Sequence, residues 1–67
     1  MRFWKVVTKV YDNGHHEIYM DGTEDATVRP DGKRIETALC DIYVDYFSNI
    51  SGARAFLKEA ANAYGLV

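Results

Sequence analysis

The chain has 67 residues, of which 48% are hydrophobic and 27% charged, with a formal net charge of −2. This length and composition describe one folded domain and exclude a disordered chain. The negative balance disfavours nucleic acid as a partner, because phosphate binding needs clustered lysine and arginine.

A domain this short buries only about 60% of the surface its unfolded chain exposes, so each apolar group matters. The one Trp, five Tyr and three Phe therefore need either a core or a binding role. Cys40 is the single cysteine; a short domain without a disulfide framework reads as cytoplasmic. The start, Met1-Arg2-Phe3-Trp4-Lys5, lacks the apolar core of a leader. No stretch approaches the roughly 20 apolar residues that span a membrane, so no membrane partner is expected.

Phe3 to Tyr11 alternates with period two, the mark of a half-buried strand. Trp4, Val6, Thr8 and Val10 fall on one face, expected to be dry. Phe3, Lys5, Val7, Lys9 and Tyr11 fall on the other, which the lysines mark as wet. Asp12-Asn13-Gly14 signals a hairpin. A three-residue loop with Gly14 left-handed pairs Tyr11 with His15, Val10 with His16, Lys9 with Glu17, Thr8 with Ile18 and Val6 with Met20. A two-residue loop would set Val10 against Glu17, so the longer loop is expected.

Asp21 to Asp25 reads as a polar loop, and Arg29-Pro30-Asp31-Gly32-Lys33 as a turn. A short irregular hairpin around residues 26–36 is expected there, with Ala26 to Arg29 on one arm.

Leu39 to Phe47 is the clearest strand. Its expected register against the first strand pairs Phe3 with Phe47, Lys5 with Asp45, Val7 with Tyr43 and Lys9 with Asp41. The dry face then pairs Trp4 with Tyr46, Val6 with Val44, Thr8 with Ile42 and Val10 with Cys40. Opposite charges and aromatic pairs meet directly in this register. It makes the first strand central, in the order 2-1-3, and residues 21–38 must then travel the length of the sheet.

Ser51 is the expected N-cap, with Asn49 as the alternative, of a helix over residues 52–64 closed by Gly65. Ala53, Phe56, Leu57, Ala60 and Tyr64 make one apolar stripe, expected to cover the dry face. The fold class is therefore α+β: a small antiparallel sheet of three main strands with one C-terminal helix on one face, in a single domain over residues 1–67.

Chemistry is sparse. His15 and His16, adjacent on a strand, point to opposite faces and cannot share a metal. A structural zinc site needs four ligands, and Cys40 is the only thiol. A contact between Cys40 and His16 at Val10 is conceivable, but no third residue orients them as a nucleophile and base. Asp41 and Asp45 have the spacing of paired carboxylates, and Lys9 and Lys5 are expected to neutralise them. No phosphate loop, dinucleotide fingerprint or calcium loop is present. No cofactor, metal site or catalytic activity is expected.

One helix covers one face. The other face is expected to display Phe3, Val7, Tyr11, Tyr19, Tyr43 and Phe47, laced with Lys5, Lys9, Glu17, Asp41 and Asp45. Aromatics with a charged fringe suit recognition of a protein partner. The expected function is a small non-catalytic interaction module or inhibitor, of the kind phage and mobile elements use against larger machinery. Two alternatives stand beside it: a nucleic-acid-binding sheet, to which Arg29, Lys33 and Arg34 would contribute, and a structural homodimer, since self-association would extend a small core.

Overall fold

The computed structural model describes residues 1–65. Four strands and a helix follow in order: β1 (Arg2–Tyr11), β2 (His16–Asp25), β3 (Lys33–Glu36), β4 (Cys40–Phe47) and α1 (Ile50–Ala63). The strands form one antiparallel sheet in the order β2-β1-β4-β3. β1 lies between β2 and β4, as expected, and β3 adds a fourth strand beyond β4.

The β1–β2 hairpin has the expected register, with Val10 opposite His16, Lys9 opposite Glu17, Thr8 opposite Ile18 and Val6 opposite Met20. Its loop closes through the Tyr11 N–H donating to the His15 carbonyl at 2.8 Å and the Gly14 N–H donating to the Tyr11 carbonyl at 3.0 Å. Gly14 sits at φ 87°, a conformation other residues reach only with strain.

Asp21 to Asp25 does not form a loop. It continues β2, pairing Trp4 with Thr23, Phe3 with Glu24 and Arg2 with Asp25. The register shifts so that Lys5 alone lies opposite Asp21 and Gly22, and Gly22 at φ 76° accommodates the extra residue. A polar composition is compatible with this strand because it forms the sheet edge, where one side of the backbone meets solvent.

The expected hairpin with Ala26–Arg29 as an arm does not form. Residues 26–32 cross the end of the sheet, and β3 then runs back along β4, pairing Ile35 with Ile42 and Arg34 with Tyr43. This fourth strand is how the chain travels the length of the sheet. The turn into β4 is built by Thr37, whose hydroxyl donates to the Cys40 carbonyl at 2.8 Å and accepts from the Cys40 N–H at 3.1 Å. Thr37 here supplies, through its side chain, the closure that Gly or Asn supplies elsewhere.

The β1–β4 register differs from expectation by one residue. Val7 stands opposite Val44, Lys5 opposite Tyr46, Lys9 opposite Ile42, Val6 opposite Asp45 and Thr8 opposite Tyr43. A one-residue slip exchanges the faces of a whole strand. Cys40, Ile42, Val44 and Tyr46 therefore share a face with Phe3, Lys5, Val7, Lys9 and Tyr11. Asp41, Tyr43, Asp45 and Phe47 share one with Trp4, Val6, Thr8 and Val10. The observed register buries Phe3, Val7, Val44 and Tyr46 together as one cluster, with Ala26 and Ile42 against it. Grouping those apolar side chains outweighs the lysine–aspartate pairs the other register would have made, because exposed ion pairs contribute about 0–1 kcal/mol each and a buried large side chain about 1.5–3 kcal/mol.

Helix α1 covers the Val6 face, where Phe56 meets Phe47 at 5.2 Å between ring centroids and Tyr64 stacks on His16 at 4.4 Å. Ala53 is fully buried, and Phe56, Leu57 and Ala60 are half-buried. Asn49, not Ser51, caps the helix: its Oδ1 accepts from the Gly52 N–H at 2.7 Å, and its backbone is extended. Gly65 at φ 72° ends it, donating its N–H to the Asn62 carbonyl.

Candidate interaction surface

The sheet divides the eleven residues expected to make a single recognition face. Phe3, Lys5, Val7, Lys9, Tyr11, Glu17 and Tyr19 lie on the face away from the helix. Asp41, Tyr43, Asp45 and Phe47 lie on the helix side. The first group is itself divided by depth. Phe3 is 2% exposed and Val7 5%, so both belong to the core and neither is free to meet a partner. Tyr19, in contrast, is 39% exposed.

The accessible part of the face away from the helix is a tyrosine–charge lattice on the β1–β2 hairpin. The Tyr11 hydroxyl donates to Glu17 Oε2 at 3.0 Å. Lys9 Nζ lies 5.7 Å from the centroid of the Tyr19 ring, a cation–π distance. Lys5 Nζ reaches Asp21 at 3.5 Å. The hydrogen bond to Glu17 raises the Tyr11 pKa above the ordinary 10.0, since the bonded phenol resists losing its proton; burial and the Glu17 charge add to this. Toward the other edge, half-buried Ile42 and exposed Ile35 extend the same face. Sequence reasoning missed both isoleucines as surface residues. It placed Ile42 on the helix side, and Ile35 was readable only once β3 was known to be a strand.

On the helix side, α1 lies over β1, β2 and the end of β4, and the remainder of β4 with β3 is polar. Arg34 Nη2 contacts Glu36 and Asp41, each at 3.3 Å, and its guanidinium lies 5.7 Å from the Tyr43 ring centroid. Asp41 is thus paired by Arg34 from β3, and Lys9 lies on the opposite face. Asp45, Tyr46, Phe47 and Phe56 line a hollow of about 290 Å³ with Arg29–Gly32 of the crossover, a segment that does not form the expected turn.

The chemical candidates are dispersed. His15 lies beside Tyr11, with ring centroids 5.4 Å apart, and His16 points to the helix. Cys40 is buried on Tyr11's face, on the other side of the sheet from His16, so the conceivable thiol–imidazole contact does not exist. Its Sγ lies 3.6 Å from the Thr37 hydroxyl. Among the described residues, no group of three or more His, Cys, Asp or Glu could hold a metal ion, and no helix is long and apolar enough to cross a membrane. Comparison with family models, with curated proteins and with solved structures found no match to this chain.

Proposed function

We propose that the chain is a small, non-catalytic protein-interaction module that binds its partner through the sheet face away from the helix. The carrying observation is the lattice of Tyr11, Tyr19, Lys9 and Glu17 beside Ile42 and Ile35. Its tyrosines are held by Glu17 and Lys9 on the β1–β2 hairpin, on the face that also carries the Phe3–Val7–Val44–Tyr46 cluster. Tyrosine offers a large contact area at low conformational cost when its ring is already held, and a polar tip that tolerates the free state. Glu17 on this face and the net charge of −2 weigh against phosphate as the ligand. The dispersal of the histidines, the cysteine and the carboxylates supports a role without catalysis.

The experiment is affinity capture from the native host lysate, with and without nuclease, using the wild type, Tyr19→Glu and Tyr43→Glu. The proposal expects one stoichiometric protein that survives nuclease, is lost with Tyr19→Glu and is retained with Tyr43→Glu, because the two tyrosines lie on opposite faces. Loss with Tyr43→Glu alone would move the interface to the helix side. A nuclease-sensitive set of partners would replace the reading with nucleic-acid binding.

A further inference from the structure

The two edges of the sheet differ in what they offer to a copy of themselves. β2 carries Glu17, Asp21, Glu24 and Asp25 without a lysine or arginine, and it is bent at Gly22. Two such edges repel. β3 reads Lys33-Arg34-Ile35-Glu36, with basic and acidic residues on either side of an isoleucine that is 47% exposed.

The backbone of β3 has a defined free side. The Thr37 N–H donates to the Cys40 carbonyl at 3.0 Å, so Thr37 turns its polar groups toward β4. Alternation along an antiparallel ladder makes Ile35 do the same, opposite Ile42, and turns the N–H and C=O of Arg34 and Glu36 outward. Those are the groups an incoming strand must meet.

We propose that β3 pairs antiparallel with β3 of a second copy, in a register centred on Ile35, joining two sheets into one of eight strands. In that register Arg34 stands opposite Glu36 of the second copy, and Glu36 opposite its Arg34. These are the residues whose backbone groups face outward, so each such pair exchanges two hydrogen bonds. Ile35 meets its own copy at the closest approach of the ladder, on the face that also carries Ile42. Centring on Arg34 instead would oppose two arginines, and centring on Glu36 two glutamates. A short charged edge ordinarily deters pairing; here the alternation of charge deters every neighbouring register and favours one. Glu36, already 3.3 Å from Arg34 of its own chain, then lies between two guanidinium groups. The contact is short, so the dimer is weak and concentration-dependent. It goes beyond the partner-binding reading and leaves Tyr11 and Tyr19 open.

The test is sedimentation equilibrium of the full chain from micromolar to millimolar concentration. The wild type is expected to rise from the mass of one chain toward that of two. Glu36→Arg and Arg34→Glu are each expected to remain at one chain, because each opposes like charges. An equimolar mixture of these two variants recovers the two-chain mass, since every position 34 then faces an opposite charge at position 36 of the other variant. Circular dichroism checks that both variants are folded. If Arg34→Glu unfolds beside Asp41, Ile35→Lys replaces it and is likewise expected to remain at one chain. A wild type that keeps the mass of one chain throughout overturns the proposal, as does a dimer that survives the substitutions. Growth beyond two chains also overturns it, because β2 would then be the receiving edge.

Discussion

Under the helix, Val6 and Thr8 are sealed by a second layer, with Ala53 packed down and Phe56 against Phe47. On the opposite face, Phe3, Val7, Val44 and Tyr46 are buried almost as deeply, although among the described residues the one helix lies on the other side of the sheet. Their cover is local. Ala26 packs on them at the start of the crossover, tied by its N–H to the Met1 carbonyl at 2.9 Å. Lys5, Lys9 and Tyr19 lie on the same face around them. The difference teaches that an uncovered face is not a wet face. A twisted sheet with long amphipathic side chains can close a small cluster by itself, leaving only their tips for recognition.

The strongest way to break this comparison is to hollow out each face. Phe3→Ala is expected to cost about 3–5 kcal/mol, the range for a fully buried phenylalanine, and to cost more than Phe56→Ala, whose ring is only half-buried. Denaturant unfolding measures both. A loss for Phe3→Ala no larger than that for a surface residue would mean that the face away from the helix is open to water after all.

A smaller effect tests the register that created the two faces. A double-mutant cycle between Lys5 and Asp21 is expected to show a coupling of about 0.2–1 kcal/mol, as for exposed ion pairs. The cycle between Lys5 and Asp45 is expected to show none, because the sheet separates them. Coupling to Asp45 would restore the alternative register and return Asp41 and Asp45 to the lysine face.

The smallest effect concerns the tyrosine lattice. Tyr11 holds its proton more tightly in the folded chain than the ordinary 10.0, chiefly through its hydrogen bond to Glu17. The folded state therefore binds more protons than the unfolded one just above that value. Its contribution is fully present below pH 10.0 and is lost as pH rises through the folded pKa. Glu17→Ala is expected to bring the Tyr11 titration down toward the ordinary value and to flatten that loss, as followed by NMR of the tyrosine ring carbons. An unchanged titration would show that Glu17 does not anchor the lattice.

Much of the fold was legible because it rests on local chemistry. Asp12-Asn13-Gly14 and the alternation around it determine the hairpin and its register, since any slip would put Glu17 where an apolar residue belongs. The stripe from Ala53 to Tyr64 and the stop at Gly65 determine the helix. The divergence of His15 and His16 follows from strand geometry alone. Only the tertiary structure decided which face of β4 meets which face of β1. That choice depends on where β3 lies and how far the helix reaches, and both are contacts between residues distant in sequence. One signal was present: Val6-Val7-Thr8 is a continuous run rather than an alternation, as befits a central strand buried on both sides. The opposed lysines and aspartates point to the other register, because charge pairs are visible in a sequence and burial is not. In the folded chain the burial of Phe3, Val7, Val44 and Tyr46 carries more free energy than those surface charges, and that difference divided the expected recognition face between the two sides of the sheet.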